Sequence, residues 1–149
     1  MDDLDRRILT ELQEHFPLEL NPYEILAKNI GIDVDILWGR VLKLVESGVI
    51  RRIGLSIDSR KIGYASTLAA IQVLPDQINK ASQLIDAYPE ITHSYLRDDA
   101  YNIWFTVIAE DRKRITAILD ELRMELDLSE DDLMDLPVET LFKLDARFR

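Results

Sequence analysis

The chain contains no cysteine. Disulfides, thiolate metal sites and cysteine nucleophiles are therefore excluded, and a reducing cytoplasm is the expected compartment. No apolar run approaches the roughly 20 residues of a membrane helix, so no membrane association is expected. Met1-Asp2-Asp3 is unlike the basic start of a secretory signal. Positive charge is scarce as well: 18 Lys and Arg stand against 28 Asp and Glu among 149 residues, a net charge of -10. Non-specific nucleic-acid binding relies on cations that neutralise phosphates, and this balance disfavours it. Internal repeats and low-complexity tracts are also absent. What remains is a globular composition, 47% apolar and 31% charged, enough for one domain or two small ones with a usable core.

Residues 1–60 read as a winged helix-turn-helix domain. Leu4, Ile8, Leu9 and Leu12 recur at helical spacing, and Phe16-Pro17 ends that run. Asn21 as a cap and Pro22 at the first helical position open a second helix, with Ile25, Leu26 and Ile30 apolar and Gly31 as its stop. Asp33 or Asp35 caps a third helix that ends at Gly48. Its inward residues are expected to be Ile36, Leu37, Val41, Leu42 and Val45. The short turn at Gly31-Ile32 makes a helix-turn-helix, and residues 49–57 read as an extended wing.

Residues 61–149 read as an α+β domain. A strand at 67–74 is followed by a helix that Pro75 opens, carrying Ile78, Ala81, Ile85 and Tyr88. Strands at 90–97 and 101–109 are joined by the polar turn Asp98-Asp99-Ala100. Asp111 caps a helix with Ile115, Ile118, Leu119 and Leu122 inward, and an acidic connection at 127–135 precedes a last extended segment at 138–144. The order βαββαβ is ferredoxin-like: the helices cover one face of the sheet and leave the other for a ligand or partner. The acidic connection is not an EF-hand. Counted from Asp127, Asp132 takes the place of the turn glycine and Val138 that of the bidentate glutamate. It reads as a solvated connection or a surface for a basic partner subunit.

The third helix is poorly suited to DNA. Its start, Asp33-Val34-Asp35-Ile36-Leu37-Trp38, sets two carboxylates where phosphates would lie and apolar groups where base-reading side chains would be useful. Residues 1–60 hold 8 basic and 11 acidic side chains, net -3. Trp38 reads as interface core rather than a base-stacking residue.

Strand alternation projects His93, Tyr95 and Arg97 from one face of a single strand. Together they suit an anionic, aromatic ligand. The imidazole transfers a proton near neutral pH or ligates a metal, the guanidinium grips a carboxylate, and the phenol adds a hydrogen bond and a flat surface. The alternative is a solvated or dimer-facing strand with an incidental histidine. Arg51 and Arg52 add charge in the wing on opposite faces, so one of them can turn toward a ligand; the alternative is an ordinary charged wing. Trp104, Lys143, Lys61 and Tyr64 are further candidates, and His15 reads as a helix-terminal surface residue.

The runs Leu4-Asp5-Arg6-Arg7-Ile8-Leu9 and Arg40-Val41-Leu42-Lys43-Leu44-Val45-Glu46-Ser47-Gly48-Val49-Ile50, in this domain order, resemble the Lrp/AsnC family of regulators over nearly the whole chain. Four further runs resemble the siroheme decarboxylase branch of that superfamily: Gly48-Val49-Ile50-Arg51-Arg52-Ile53-Gly54, Thr92-His93-Ser94-Tyr95-Leu96-Arg97, Tyr101-Asn102-Ile103-Trp104-Phe105 and Leu141-Phe142-Lys143-Leu144. The resemblance implies a carboxy-lyase of alternative haem biosynthesis, which removes CO2 from the C12 and C18 acetate side chains of siroheme to give 12,18-didecarboxysiroheme. It also implies a related partner subunit in a heterodimer and no cofactor, because the iron arrives with the substrate.

On that resemblance, Arg97, Arg51 and Arg52 position carboxylates, with Trp104 and Lys143 as further substrate contacts. His93 is the acid that protonates the methylene left by departing CO2, or an axial ligand of the substrate iron; Tyr95 orients it or serves as an alternate donor. The chain departs from the branch at Ser94, where asparagine is frequent, and at Asp99-Ala100, where a second histidine is frequent. No role for a second imidazole carries over, which leaves either a less catalytic partner or a site in which His93 suffices. The rival functions are a ligand-responsive transcription regulator and a tetrapyrrole sensor without catalysis.

Overall fold

The structure, a computed structural model, describes residues 1–142. It divides into an N-terminal unit, Met1–Ser56, and a second unit that begins at Ile57.

Three helices build the first unit: α1 (Asp3–Glu14), α2 (Pro22–Ile30) and α3 (Val34–Glu46). A capping box starts α1, where the Asp5 N–H donates to the Asp2 carboxylate and the Asp2 N–H to that of Asp5, each at 2.9 Å. Arg40 of α3 donates to both carboxylates, at 2.6 and 2.9 Å, and ties α3 to the start of α1. Asn21 does not cap α2 with its side chain: it adopts a left-handed conformation (φ 57), which asparagine tolerates, and Pro22 alone supplies the start signal. The Asp33 carboxylate caps α3 by accepting from the Asp35 N–H at 2.8 Å.

Ile8, Leu9, Leu26, Ile30, Leu37, Val41 and Leu44 form the core of this unit. Periodicity points Ile36, Leu42 and Val45 inward as well, yet they are 52%, 43% and 45% exposed. A helix packed on one side buries a stripe of about a third of its circumference, and Leu37, Val41 and Leu44 already fill it. The wing expected at 49–57 also differs. Ile50 is buried, but the rest of the run is exposed and joins no strand among the described residues. A hairpin needs two arms, and this single alternating run reaches the 3-10 turn at Ser59–Ile62 without a second one.

The second unit contains β1 (Ala65–Ile71), α4 (Ile78–Asp86), β2 (Ile91–Leu96), β3 (Ile103–Ala109), α5 (Arg112–Leu126) and β4 (Leu133–Pro137). The strands form one antiparallel sheet in the order β2-β3-β1-β4, the ferredoxin-like arrangement. β3 alternates along its whole length. Ile103, Phe105, Val107 and Ala109 are buried in one cluster with Ala81 and Ile85 of α4 and Ile115, Ile118 and Leu122 of α5, while Trp104, Thr106 and Ile108 turn to the uncovered face.

Of the segment expected at 138–144, residues 138–142 join no strand, and the remainder lies outside the described residues. A strand lies earlier than composition suggests: β4 covers the end of the acidic stretch. Its register places Asp135 opposite Ala69 on the helix side. There the Thr67 hydroxyl donates to Asp135 at 2.6 Å and Arg112 forms an ion pair with it, so the carboxylate is satisfied within the sheet. Among the described residues no helix is long and apolar enough to cross a membrane.

Candidate functional site

The β2–β3 hairpin builds the site. Its register sets His93 opposite Thr106 and Tyr95 opposite Trp104, and one step on the Arg97 N–H donates to the Asn102 carbonyl at 2.8 Å. Thr106 and Trp104 lie on the face turned away from the helices, so His93, Tyr95 and Arg97 share that open face. All three are exposed. The Arg97 guanidinium carbon stands 5.9 Å from the centre of the Trp104 ring, a cation–π contact. Trp104 is half-buried, and its indole N–H donates to the Tyr101 carbonyl at 2.8 Å, which fixes the ring. The same face continues on β1 and β4, with Leu68 opposite Thr106 and Leu136 opposite Leu68, both exposed, while Ala70, opposite Trp104, is fully buried. Leu68 and Leu136 make this face apolar, with an imidazole, a phenol and a guanidinium along the β2 edge.

Three polar contacts hold that edge in place. The Asn102 side chain clamps Val73 from both sides: its amide nitrogen donates to the Val73 carbonyl at 2.8 Å and its oxygen accepts from the Val73 N–H at 3.1 Å. Arg114 of α5 donates to Glu90 at 2.8 Å and holds that carboxyl below its ordinary range. Tyr88, at the same corner, donates to Glu121 at 2.7 Å; burial first and that carboxylate second push its phenol up to about 12. The hydroxyl of Thr92 lies 2.9 Å from Nδ1 of His93. Neither Asn102 nor Thr92 is a site candidate in the sequence, where each is one polar residue within an expected strand.

The other candidates are dispersed. Arg51 and Arg52 are exposed in the N-terminal unit, on the unpaired run. Lys61 and Tyr64 are exposed just before β1, at the end of that strand remote from Ala70. Lys143 lies outside the described residues. His15 is exposed at the end of α1, with Nδ1 3.3 Å from the Glu11 carboxylate. Trp38 packs edge-on against Tyr23 at 4.9 Å and remains 45% exposed. Asp98 and Asp99 occupy the hairpin tip, where the Asp99 carboxylate accepts from the Ala100 N–H at 2.6 Å. That contact lies within the bend of the hairpin tip and offers no second imidazole.

Comparison with known proteins agrees with this architecture. Residues 61–143 match the AsnC-like ligand binding domain family, and residues 5–51 match the siroheme decarboxylase NirDL-like HTH domain family. The chain is 38% identical to the siroheme decarboxylase alpha subunit of Desulfovibrio desulfuricans over 149 residues, 100% of this chain and 84% of that protein. The crystal structure of the siroheme decarboxylase NirDL in co-complex with an iron-uroporphyrin III analogue superposes with a TM-score of 0.69 at 28% identity, covering 90% of this chain and 44% of that one. The leucine response regulatory protein of Mycobacterium tuberculosis superposes with a TM-score of 0.80 at 20% identity over 99% of both chains, a likeness of fold alone. The two domain matches and the end-to-end identity agree, and the chain belongs to the siroheme decarboxylase family.

Proposed function

We propose that this chain is a siroheme decarboxylase subunit that removes CO2 from the C12 and C18 acetate side chains of siroheme to give 12,18-didecarboxysiroheme, paired with a related subunit. The observation that carries this reading is the 38% identity to a siroheme decarboxylase alpha subunit over the full length of this chain. The open sheet face supports it chemically, because the Trp104 ring with the Arg97 guanidinium over it suits an aromatic polycarboxylate.

The chemistry asks little beyond these side chains. The bond between an acetate methylene and its carboxylate breaks, CO2 leaves, and the electron pair stays on a carbon attached to a pyrrole, where the macrocycle delocalises it. A proton from His93 then converts that methylene to a methyl group. The step is redox-neutral, so the scheme needs no cofactor held by the protein, and the iron enters with the substrate. Arg97 holds a carboxylate that is not lost. Tyr95 orients His93 or serves as a second donor. In the alternative role His93 ligates the substrate iron.

A regulator reading draws no support from α3. At its N-terminus, the ordinary seat of a phosphate, the Asp35 N–H already donates to the Asp33 carboxylate, and Asp35 adds a second negative charge in the first turn. The test is anaerobic incubation of the full chain with siroheme, alone and with the related subunit, followed by mass spectrometry of the extracted tetrapyrrole. Loss of two CO2 units is expected. Binding without mass loss in either mixture leaves a sensor, and no binding in either overturns the reading.

A further inference from the structure

β2 does not pair evenly with β3. Ile91 lies opposite Val107 but His93 lies opposite Thr106, so two steps along β2 match one along β3 and Thr92 is the extra residue of a β-bulge. If the pairing at Ile91 simply continued, His93 would fall opposite Phe105 and Tyr95 opposite Ile103, on the buried face. One inserted residue exchanges the faces of everything beyond it. Ile91 thereby stays packed against the core, while His93 and Tyr95 emerge on the open side. The strand is anchored just before the bulge: the Ile108 N–H donates to the Glu90 carbonyl at 2.8 Å, and Arg114 holds the Glu90 carboxylate.

The bulge has a second consequence. Successive residues of a regular strand point to opposite faces, and their side chains do not meet. Here Thr92 Oγ1 and His93 Nδ1 are 2.9 Å apart. We propose that Thr92 is a positioning residue for His93: the bulge turns the imidazole to the open face, and the hydroxyl accepts a hydrogen bond from Nδ1–H, so Nε2 is the nitrogen presented to the tetrapyrrole. Both roles open to His93 need this arrangement. An imidazolium acid delivers its proton from Nε2 while Nδ1–H stays held, and an iron ligand offers the Nε2 lone pair only when Nδ1 carries the proton. The substrate side of this inference rests on the decarboxylase reading, whereas the tautomer does not.

Long-range 1H–15N spectra of the full chain, at a pH where the imidazoles are neutral, report the tautomer. The chain has two histidines, so a His15→Gln variant assigns both signals. The expected result is an Nδ1–H form at His93 that is lost in Thr92→Val and kept in Thr92→Ser. In the siroheme assay, with the related subunit present, Thr92→Val lowers kcat on the order of ten-fold with KM little changed, and Thr92→Ser restores it. An Nε2–H tautomer in the wild type, a tautomer unmoved by Thr92→Val, or an unchanged kcat in that variant overturns the proposal. The expected tautomers in a chain that leaves siroheme untouched would support the Thr92 contact and overturn the decarboxylase reading instead.

Discussion

The guanidinium of Arg97 stands over the indole of Trp104, 5.9 Å from the ring centre, and the two side chains form one cationic, aromatic surface on the open face of the sheet. Arg97→Gln should weaken binding of an iron tetrapyrrole about ten-fold, the equivalent of one charge-assisted hydrogen bond near 1.5 kcal/mol. Arg97→Lys should recover only part of that loss, since an ammonium lacks the planar fork that grips a carboxylate. Titration followed by visible absorbance measures both, and equal affinity in Arg97→Gln removes this residue from the site.

His93→Ala should lower decarboxylation by about 10²–10⁴-fold, the usual contribution of a general acid. The spectrum of the bound substrate then separates its two roles. An unchanged iron-sensitive absorbance in the variant means that His93 is the acid, and an altered one means that it is the axial ligand. Wild-type turnover with a wild-type spectrum dismisses both.

The two faces of the sheet should respond differently to truncation. Phe105 is fully buried between sheet and helices, so Phe105→Ala should cost about 3–5 kcal/mol in urea unfolding. Leu68 sits on the open face at 39% exposure, and Leu68→Ser in the isolated chain should stay within about 0.5 kcal/mol. Comparable losses from the two variants would mean that the open face is covered within the chain itself.

Tyr88 sets an alkaline limit. In the unfolded chain its phenol ionises near 10, whereas in the folded chain burial and the Glu121 carboxylate push it up to about 12. Between those values the unfolded state loses the proton first, so stability falls as pH rises from about 10 to about 12 and is unaffected by this group below that window. Urea midpoints measured across that range should decline less steeply in Tyr88→Phe. An identical slope would place the phenol in water.

Much of this architecture is visible as spacing. The helical period selects Ala81, Ile85, Ile115, Ile118, Leu119 and Leu122, all of which α4 and α5 bury; Leu126, buried as well, is not among them, and Ile78 and Tyr88 are only partly buried. The alternation of His93, Tyr95 and Arg97 likewise survives in the strand. Alternation says that three side chains share a face; it does not say which face. That depends on Thr92, whose bulge is defined only against Val107 and Thr106 of another strand. The clamp between Asn102 and Val73 is hidden for the same reason, since its two halves are 29 residues apart.

By itself the sequence determined the kinds and order of the elements, three helices and then βαββαβ, because an amphipathic face is a property of near neighbours and is written in a short window. It also carried the family, through runs that extend over both units. Tertiary structure alone decided the rest. Leu133–Pro137 is a strand because it pairs with Thr67–Ile71 of β1, and Asp135 is tolerated there because Thr67 of β1 and Arg112 of α5 satisfy it, which no local pattern announces. Ile36, Leu42 and Val45 stay outside because Leu37, Val41 and Leu44 already occupy the buried side of α3. The imidazole of His93 faces outward because one extra residue in β2 moved the register by a single step. In each case the outcome depends on packing against another element of the chain, α1 and α2 for α3, β1 for β4 and β3 for β2, and the free energy that selects it exists only once the elements are packed together.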